Sequence, residues 1–323
     1  MISIDAYNLI FTNCDGAKMI ITSGELLVEF ISHNEDCGLK KISNFSGPYP
    51  SGAPAIFIDQ AARMGASTIM IGAVGNDPFG DSLLNRLQSD GVNIDYVQRL
   101  DNKTTGTAFV SYFENGERIF VFHMEDTAAD HIPSTFPELA EANETILHVS
   151  GASLGNSRIR QGVMALVEKI KGKGQISYDP NIRPELMKDS EARIAVDKIT
   201  ELCDIFLPSY ADLEHLFPNQ SVEDCINNAL NKEKKLVAVK QGKNGVTGSV
   251  GSEIIMLKGH DVEEIDPTGA GDCFCGILIG LIDQGKPFKE ALELANAGAA
   301  LHVTQRGPME FNPTLDEIKS FLS

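Results

Sequence analysis

Thr145–Ser150 (TILHVS) is a short apolar run rich in β-branched residues. Ser157–Ile170 (SRIRQGVMALVEKI) after it reads as a helix, and Gln175–Tyr178 (QISY) as a second strand. A strand, a crossing helix and another strand make the unit from which parallel sheets are built. The same rhythm runs outward in both directions. Toward the N-terminus, Met19–Ile31 and Thr68–Val74 read as strands, Pro54–Met64 as a helix, and Phe79–Ser89 as a helix ending before Gly91. Toward the C-terminus, Glu191–Leu202 and Ala211–Phe217 read as helices around the strand Ile205–Leu207. Lys235–Lys240 then leads to a β segment at Val246–Leu257, and two helices start at Gly271 and Phe288. An α/β fold follows, with a mainly parallel sheet covered by helices on both faces.

One feature breaks the rhythm. Thr107–Phe113 and Arg118–Met124 are strands flanking Asn115-Gly116, a hairpin signal. With part of Leu26–Phe45 they are expected to form a small sheet beside the main one. Residues 1–17 read as an N-terminal extension and 18–323 as one domain. The small-sheet segments fall at about 26–47 and 98–129.

Composition narrows the function. With 323 residues, 42% hydrophobic and 22% charged, the chain has the make-up of a water-soluble protein with a full core. A net charge of −18 argues against non-specific binding to nucleic acid or anionic membranes. The longest apolar stretch, near Gly276–Ile282, is too short to span a bilayer. Residues 1–18 lack the basic start of a signal peptide. The six cysteines show no framework spacing, so reduced thiols in a cytoplasmic protein are expected. Cys273 and Cys275 would lie on nearly opposite sides of a helix, poorly placed to share a metal.

The chemistry concentrates in Asp266-Pro267-Thr268-Gly269-Ala270-Gly271-Asp272, followed by an apolar helical pattern. Small residues at a helix start let the backbone approach an anion, with free N–H groups and the helix dipole aimed at it. A carboxylate beside that hole repels a phosphate. Asp272 therefore reads either as an acceptor for the proton of a hydroxyl attacking phosphorus or as a simple first-turn acid. Gly269-x-Gly271 lacks the third glycine of a dinucleotide fingerprint, and no G-x-x-x-x-G-K-[ST] loop occurs.

The D-x-T-G-A-G-D segment resembles the C-terminal signature of ribokinase-like (PfkB) carbohydrate kinases. The resemblance is to the fructokinase, 2-keto-3-deoxygluconate kinase and tagatose kinase branch. It extends over nearly the whole chain from Met19 and implies a ribokinase-like central sheet sandwiched by helices, with a small β-sheet lid. It implies that Asp272 is the catalytic base, and that Gly269, Ala270 and Gly271 form the anion hole. For the sugar it implies Gly24 at the end of the first strand, Gly52 and Ala53, and Asp179, Asn181 and Arg183 of a D-x-N-x-R segment. Gly72–Gly80 matches the family's G-x-V-G-x-D-x-x-G stretch. For the nucleotide it implies Lys240, Gly242 and Gly245, together with Thr268 and Asn296. ATP and Mg²⁺ are the implied cofactors, with a monovalent cation as an addition seen in the family. A homodimer through the lid is the implied assembly.

The chain departs from the family pattern in three places. Ser51 replaces one glycine of the usual pair. The N-x-x-E motif that organises phosphate and magnesium stands as Ser209-Tyr210-Ala211-Asp212, which leaves Ser209 and Asp212 an indirect metal role through water. Phe122-His123-Met124 stands where the branch often has an aromatic–basic pair touching the sugar, with His123 as the substitute. Without that arginine a neutral ketohexose, fructose- or tagatose-like, is the expected substrate. A 2-keto-3-deoxygluconate-type sugar acid, a nucleoside and a non-catalytic sensor role are the alternatives.

Overall fold

The computed structural model describes residues 19–114, 118–133, 145–184, 187, 189–230 and 234–323. The expected N-terminal extension, Cys14 and the Asn115-Gly116 turn lie outside them. The described chain begins with strand β1 (Met19–Ser23), followed by β2 (Leu27–Ser32) and β3 (Phe45–Ser51). Helix α1 (Ala53–Arg63) leads to β4 (Thr68–Gly75), and α2 (Pro78–Ser89) to β5 (Asn93–Leu100). Then come β6 (Gly106–Tyr112), β7 (Arg118–His123), β8 (Thr145–Ser150), α3 (Ser157–Ile170) and β9 (Gln175–Asp179). Next are α4 (Ser190–Leu202), β10 (Ile205–Phe206), α5 (Tyr210–Leu216), α6 (Val222–Leu230) and β11 (Leu236–Lys240). The hairpin β12 (Val246–Val250) and β13 (Glu253–Leu257) precedes α7 (Ala270–Asp283), α8 (Phe288–His302) and α9 (Leu315–Leu322).

Two sheets result. The large one has nine strands in the order β13-β12-β11-β10-β9-β8-β1-β4-β5, parallel from β11 to β5 with the antiparallel β12–β13 hairpin at one edge. Every residue of β4 and β8 is buried, as a sheet covered on both faces requires. Neighbouring side chains divide between two cores. Ile20 joins the core formed with α1, α7 and α8, and Ile21 the core formed with α3 and α4. The small sheet runs β3-β2-β6-β7, with β2 and β6 parallel and the outer pairs antiparallel. Among the described residues no helix is long and apolar enough to cross a membrane.

Three differences from the sequence reading have physical reasons. Met19–Ile31 is not one strand: β1 belongs to the large sheet and β2 to the small one. The chain changes sheets at Gly24, where a β-carbon would stand 2.5 Å from Pro54 Cγ. An apolar run carries no mark of which sheet it joins, so the break was hidden. Strand β5 escaped notice because, at the sheet edge, half of its residues are polar and exposed. The segment 246–257 folds back on itself at Gly251, whose φ of +57° suits a tight turn.

The strand order also places the site. From β1 the chain proceeds to β4 and β5 on one side, and from β8 to β9, β10 and β11 on the other. The loops leaving β1 and β8 therefore diverge and open a crevice at the carboxyl ends of the strands, where open α/β sheets bind ligands.

Candidate active site

The loop Asp266–Gly269 is held rigidly before α7 starts. Asp266, almost fully buried, accepts from Thr268 N at 3.0 Å and from Gly307 N at 2.9 Å. His302 Nε2 lies 2.9 Å from the Thr268 carbonyl; burial keeps that imidazole neutral, so it donates. Gly269 caps the helix with φ +82°, and a β-carbon there would lie 2.7 Å from Pro308 O. Only glycine satisfies both demands. A β-carbon at Gly271 would meet instead the end of the Lys240 side chain, Nζ at 3.4 Å and Cε at 3.9 Å.

The loop separates two pockets. Thr268, Gly269 and Asp272 line the first, with Glu25, Glu29, Ser51, Gly52, Asn181, Arg183 and the lid residues Phe120 and Phe122. Pro267, Ala270 and Gly271 line the second, a cleft of about 800 Å³ shared with Lys240, Gly242, Gly245, Asn296 and Arg118. A small acceptor in the first and a nucleotide in the second would meet across one turn of helix.

Asp272 faces the first pocket. Its Oδ1 accepts from Asn181 Nδ2 at 3.1 Å. Asn181 holds φ +39°, a left-handed conformation that asparagine tolerates, with its N–H on Asp179 Oδ1 at 3.2 Å. Burial, and next the negative charge of Asp179, raise the Asp272 pKa to about 7, against the pull of Lys240 and Arg183. Such a carboxyl is poised to exchange a proton at neutral pH.

Glu29 was not anticipated. Its Oε2 accepts from Ser51 Oγ at 3.1 Å, and its Oε1 has no hydrogen-bond partner among the described residues. Burial and then Asp266 raise its pKa to about 8. The signal for it was a charged residue inside the apolar run Leu26–Ile31. Ser51, which replaces a family glycine, thus gains a definite task. Glu25 accepts from Ser153 Oγ at 2.5 Å, and burial raises its pKa also.

The lid corrects one residue and supplies two. Residues at alternate positions of β7 share a face: Phe120 and Phe122 line the pocket, so His123 points the other way, exposed and edge-on to Phe109. Arg118 is on the Phe120 side and reaches the second cleft, its guanidinium 5.4 Å from the Phe120 ring centre. Across the ladder from it, Tyr112 donates its hydroxyl proton to Asp266 and lies 2.5 Å from Thr268 Oγ1. Counting by twos from Phe122 would have found Arg118.

The other predicted residues sort as follows. Gly52 and Ala53 line the first pocket, and at Gly52 (φ +112°) a β-carbon would lie 2.5 Å from Glu25 O. Gly24 lines neither pocket and is a packing glycine. Asp179 is buried behind the site, 2.5 Å from Lys240 Nζ. Thr268 lines the first pocket and not the second, larger cleft. Asn296 lines the cleft and donates to Lys258 O at 2.8 Å. Ser209 and Asp212 line neither pocket. They form the capping box of α5, and Asp212 also accepts from Ile182 N at 2.7 Å. Both Asp212 oxygens are thus engaged internally, and no cluster of three metal-ligating side chains occurs among the described residues. These residues fit a metal that arrives on nucleotide phosphates rather than one caged by side chains. Cys273 and Cys275 diverge as expected, toward Gln60 and toward Asp179 with Lys240.

Comparison with known proteins shows the family. The model of the pfkB family carbohydrate kinases matches residues 17–315. The chain belongs to the pfkB family of carbohydrate kinases. It is 31% identical to a fructokinase of Vibrio alginolyticus, over 94% of this chain and 99% of that one. It is 30% identical to a 2-dehydro-3-deoxygluconokinase of Bacillus subtilis (strain 168), over 94% and 95%. Among solved structures, an E. coli protein described as a ribokinase II matches with TM-score 0.86 and 38% identity, covering 94% of this chain and 99% of that one. The Vibrio cholerae O395 fructokinase with fructose, ADP and calcium ion matches with TM-score 0.81 and 26% identity, covering 96% and 100%. The kinase fold and the small sheet read from the sequence are thereby confirmed.

Asp272→Asn keeps the shape of the side chain but cannot take a proton, so kcat should fall about a thousandfold. Its effect on stability has the opposite sign. The folded chain keeps the Asp272 proton up to about pH 7, whereas an unfolded chain releases it near 3.8, so ionisation costs stability as pH rises through that window. The variant escapes that cost. It should melt several degrees above the wild type at pH 8 and together with it near pH 4, as scanning calorimetry would show.

Proposed function

We propose that this kinase transfers the γ-phosphoryl group of MgATP to a hydroxyl of a ketohexose, fructose- or tagatose-like, with Asp272 as the general base. The observation that carries this reading is the position of the 266–272 loop between two pockets, with its carboxylate facing one and its glycine-rich turn facing the other. An acceptor hydroxyl would give its proton to Asp272 as its oxygen bonds to phosphorus. The bond from that phosphorus to the bridging oxygen breaks, and the electron pair leaves with ADP. Backbone N–H groups of Gly269 and Gly271, and of Ala270 on leaving its 3.3 Å bond to Pro267 O, would receive the charge on the phosphoryl oxygens. Metal carried by the nucleotide neutralises part of that charge. Complexes of relatives support the substrates: one E. coli ribokinase II structure, 37% identical, contains ATP and Mg²⁺, and the Vibrio cholerae enzyme contains fructose and ADP.

Glu29 and Ser51 are placed to read sugar hydroxyls, and the orphaned Glu29 oxygen would gain a donor from one. A sugar acid is the second reading, favoured by Arg183 in the pocket wall and by the Bacillus relative. An initial-rate panel of fructose, tagatose, 2-keto-3-deoxygluconate and nucleosides separates these. Fructose or tagatose should give the highest kcat/KM; a sugar acid at least tenfold better would transfer the assignment to it.

The lid would close over the acceptor and exclude water, since Phe120 and Phe122 already cover the pocket. Its other face exposes Phe45 and Val121, 38% and 41% accessible, beside Phe109. Such a face suits a second copy of the chain. Phe45→Glu with Val121→Glu should give a monomer with a raised sugar KM. A wild-type chain that is already monomeric by light scattering would contradict the dimer.

A further inference from the structure

Lys240 ends β11 at the floor of the nucleotide cleft, and its side chain is only 11% accessible. Its Nζ donates to Asp179 at 2.5 Å and to Cys275 Sγ at 3.5 Å. An ammonium has three N–H donors, and the same nitrogen approaches the loop within 3.4 Å of where a Gly271 β-carbon would stand. Thus the cation borders the space that Gly271 leaves open in the wall of the cleft.

A merely structural ion pair would be an expensive way to fill this space. Desolvating two charges costs several kcal/mol per ion, roughly, and apolar replacements of buried pairs are often neutral or better. The pair also has a consequence at the base, because Asp179 raises the Asp272 pKa and Lys240 lowers it. Meanwhile Asp212, in the place of the family's metal-organising acid, has both oxygens engaged internally. Side-chain cations of the cleft would add to the charge of a metal carried by the nucleotide, and of Arg118, Lys240 and Lys243 only Lys240 comes within 4 Å of a Gly271 β-carbon.

We propose that Lys240 is a catalytic residue, its ammonium contacting the phosphoryl group in transit while Asp179 anchors it. Lys240 keeps its proton throughout. As the acceptor oxygen bonds to phosphorus and the bridging oxygen departs with its electron pair, the ammonium offsets charge on a non-bridging oxygen beside the Gly271 N–H. Burial alone would weaken this cation, but Asp179, Cys275 and Asp212 together outweigh burial and hold the Lys240 pKa above its usual value. Asp179 thereby becomes a positioning residue.

The proposal rests on the kinase reading above, and its test has an arm that needs no acceptor. In Lys240→Gln, kcat should drop about a hundredfold or more with the ATP KM within about threefold. Lys240→Arg should recover part of the loss. Calorimetric titration supplies the acceptor-free arm: wild type should bind MgADP with aluminium fluoride, a phosphoryl mimic, more tightly than MgADP alone. Lys240→Gln should lose that advantage and keep its MgADP affinity. Asp179→Asn with Lys240→Gln removes both charges from the buried pair, which guards against a single variant that does not fold. The double variant should stay as slow as Lys240→Gln. Recovery of wild-type kcat in the double variant would show that Lys240 only neutralises Asp179, and would overturn the proposal. An undiminished fluoride advantage in Lys240→Gln would do the same. Failure of every acceptor in the panel, with the fluoride result as expected, would sink the acceptor assignment and leave Lys240 in place.

Discussion

The buried carboxylate of Asp266 ties together three parts of the chain that lie far apart in sequence. It accepts from Thr268 N in the loop before α7, from Gly307 N after α8, and from the hydroxyl of Tyr112 on the small sheet. The first two bonds fix the backbone that presents Gly269–Gly271, and the third fastens the lid to that same backbone. A carboxylate accepting several donors at a buried site is strongly held, because losing any one donor leaves charge unsatisfied. The position of Asp272, within the first turn of α7, follows from this anchorage.

Around that anchor the site gathers Glu25, Glu29, Asp179, Asp266 and Asp272 against Arg118, Arg183 and Lys240. So many acids in a confined, poorly solvated volume cannot all ionise cheaply, and Glu29 and Asp272 respond by holding protons toward neutral pH. The division of cations is equally telling. Arg183 faces the acceptor pocket, while Lys240 and Arg118 face the cleft that would take the nucleotide. A chain of net charge −18 can therefore receive a polyanion, because the local field at the cleft is set by these residues, the helix terminus and the metal the nucleotide carries.

Much of this was legible in the sequence, for identifiable reasons. The large sheet showed itself because fully buried strands are uniformly apolar, as in β4 and β8. The loop 266–272 showed itself because close approach of backbone to an anion demands glycines at a helix start. What stayed hidden were relations that no local pattern carries. Asp179 looked like a sugar ligand until the fold turned it toward Lys240. His123 looked like the basic lid residue until the register put it on the far face and brought Arg118 round instead. Tyr112 and Asp266 are 154 residues apart, and only the docking of the small sheet reveals the bond between them.

In the proposed reaction Asp272 takes the acceptor's proton from a buried, acid-crowded site. The pH dependence of kcat/KM for the sugar, measured at saturating MgATP, tests it most directly. A carboxyl held up to about 7 must lose its proton before it can act, so the rate should climb with unit slope at low pH and level off near 7. The Asp272→Asn variant should show no such break. A wild-type profile already flat from about pH 5 upward would mean an ordinary aspartate at this position, and would contradict the account.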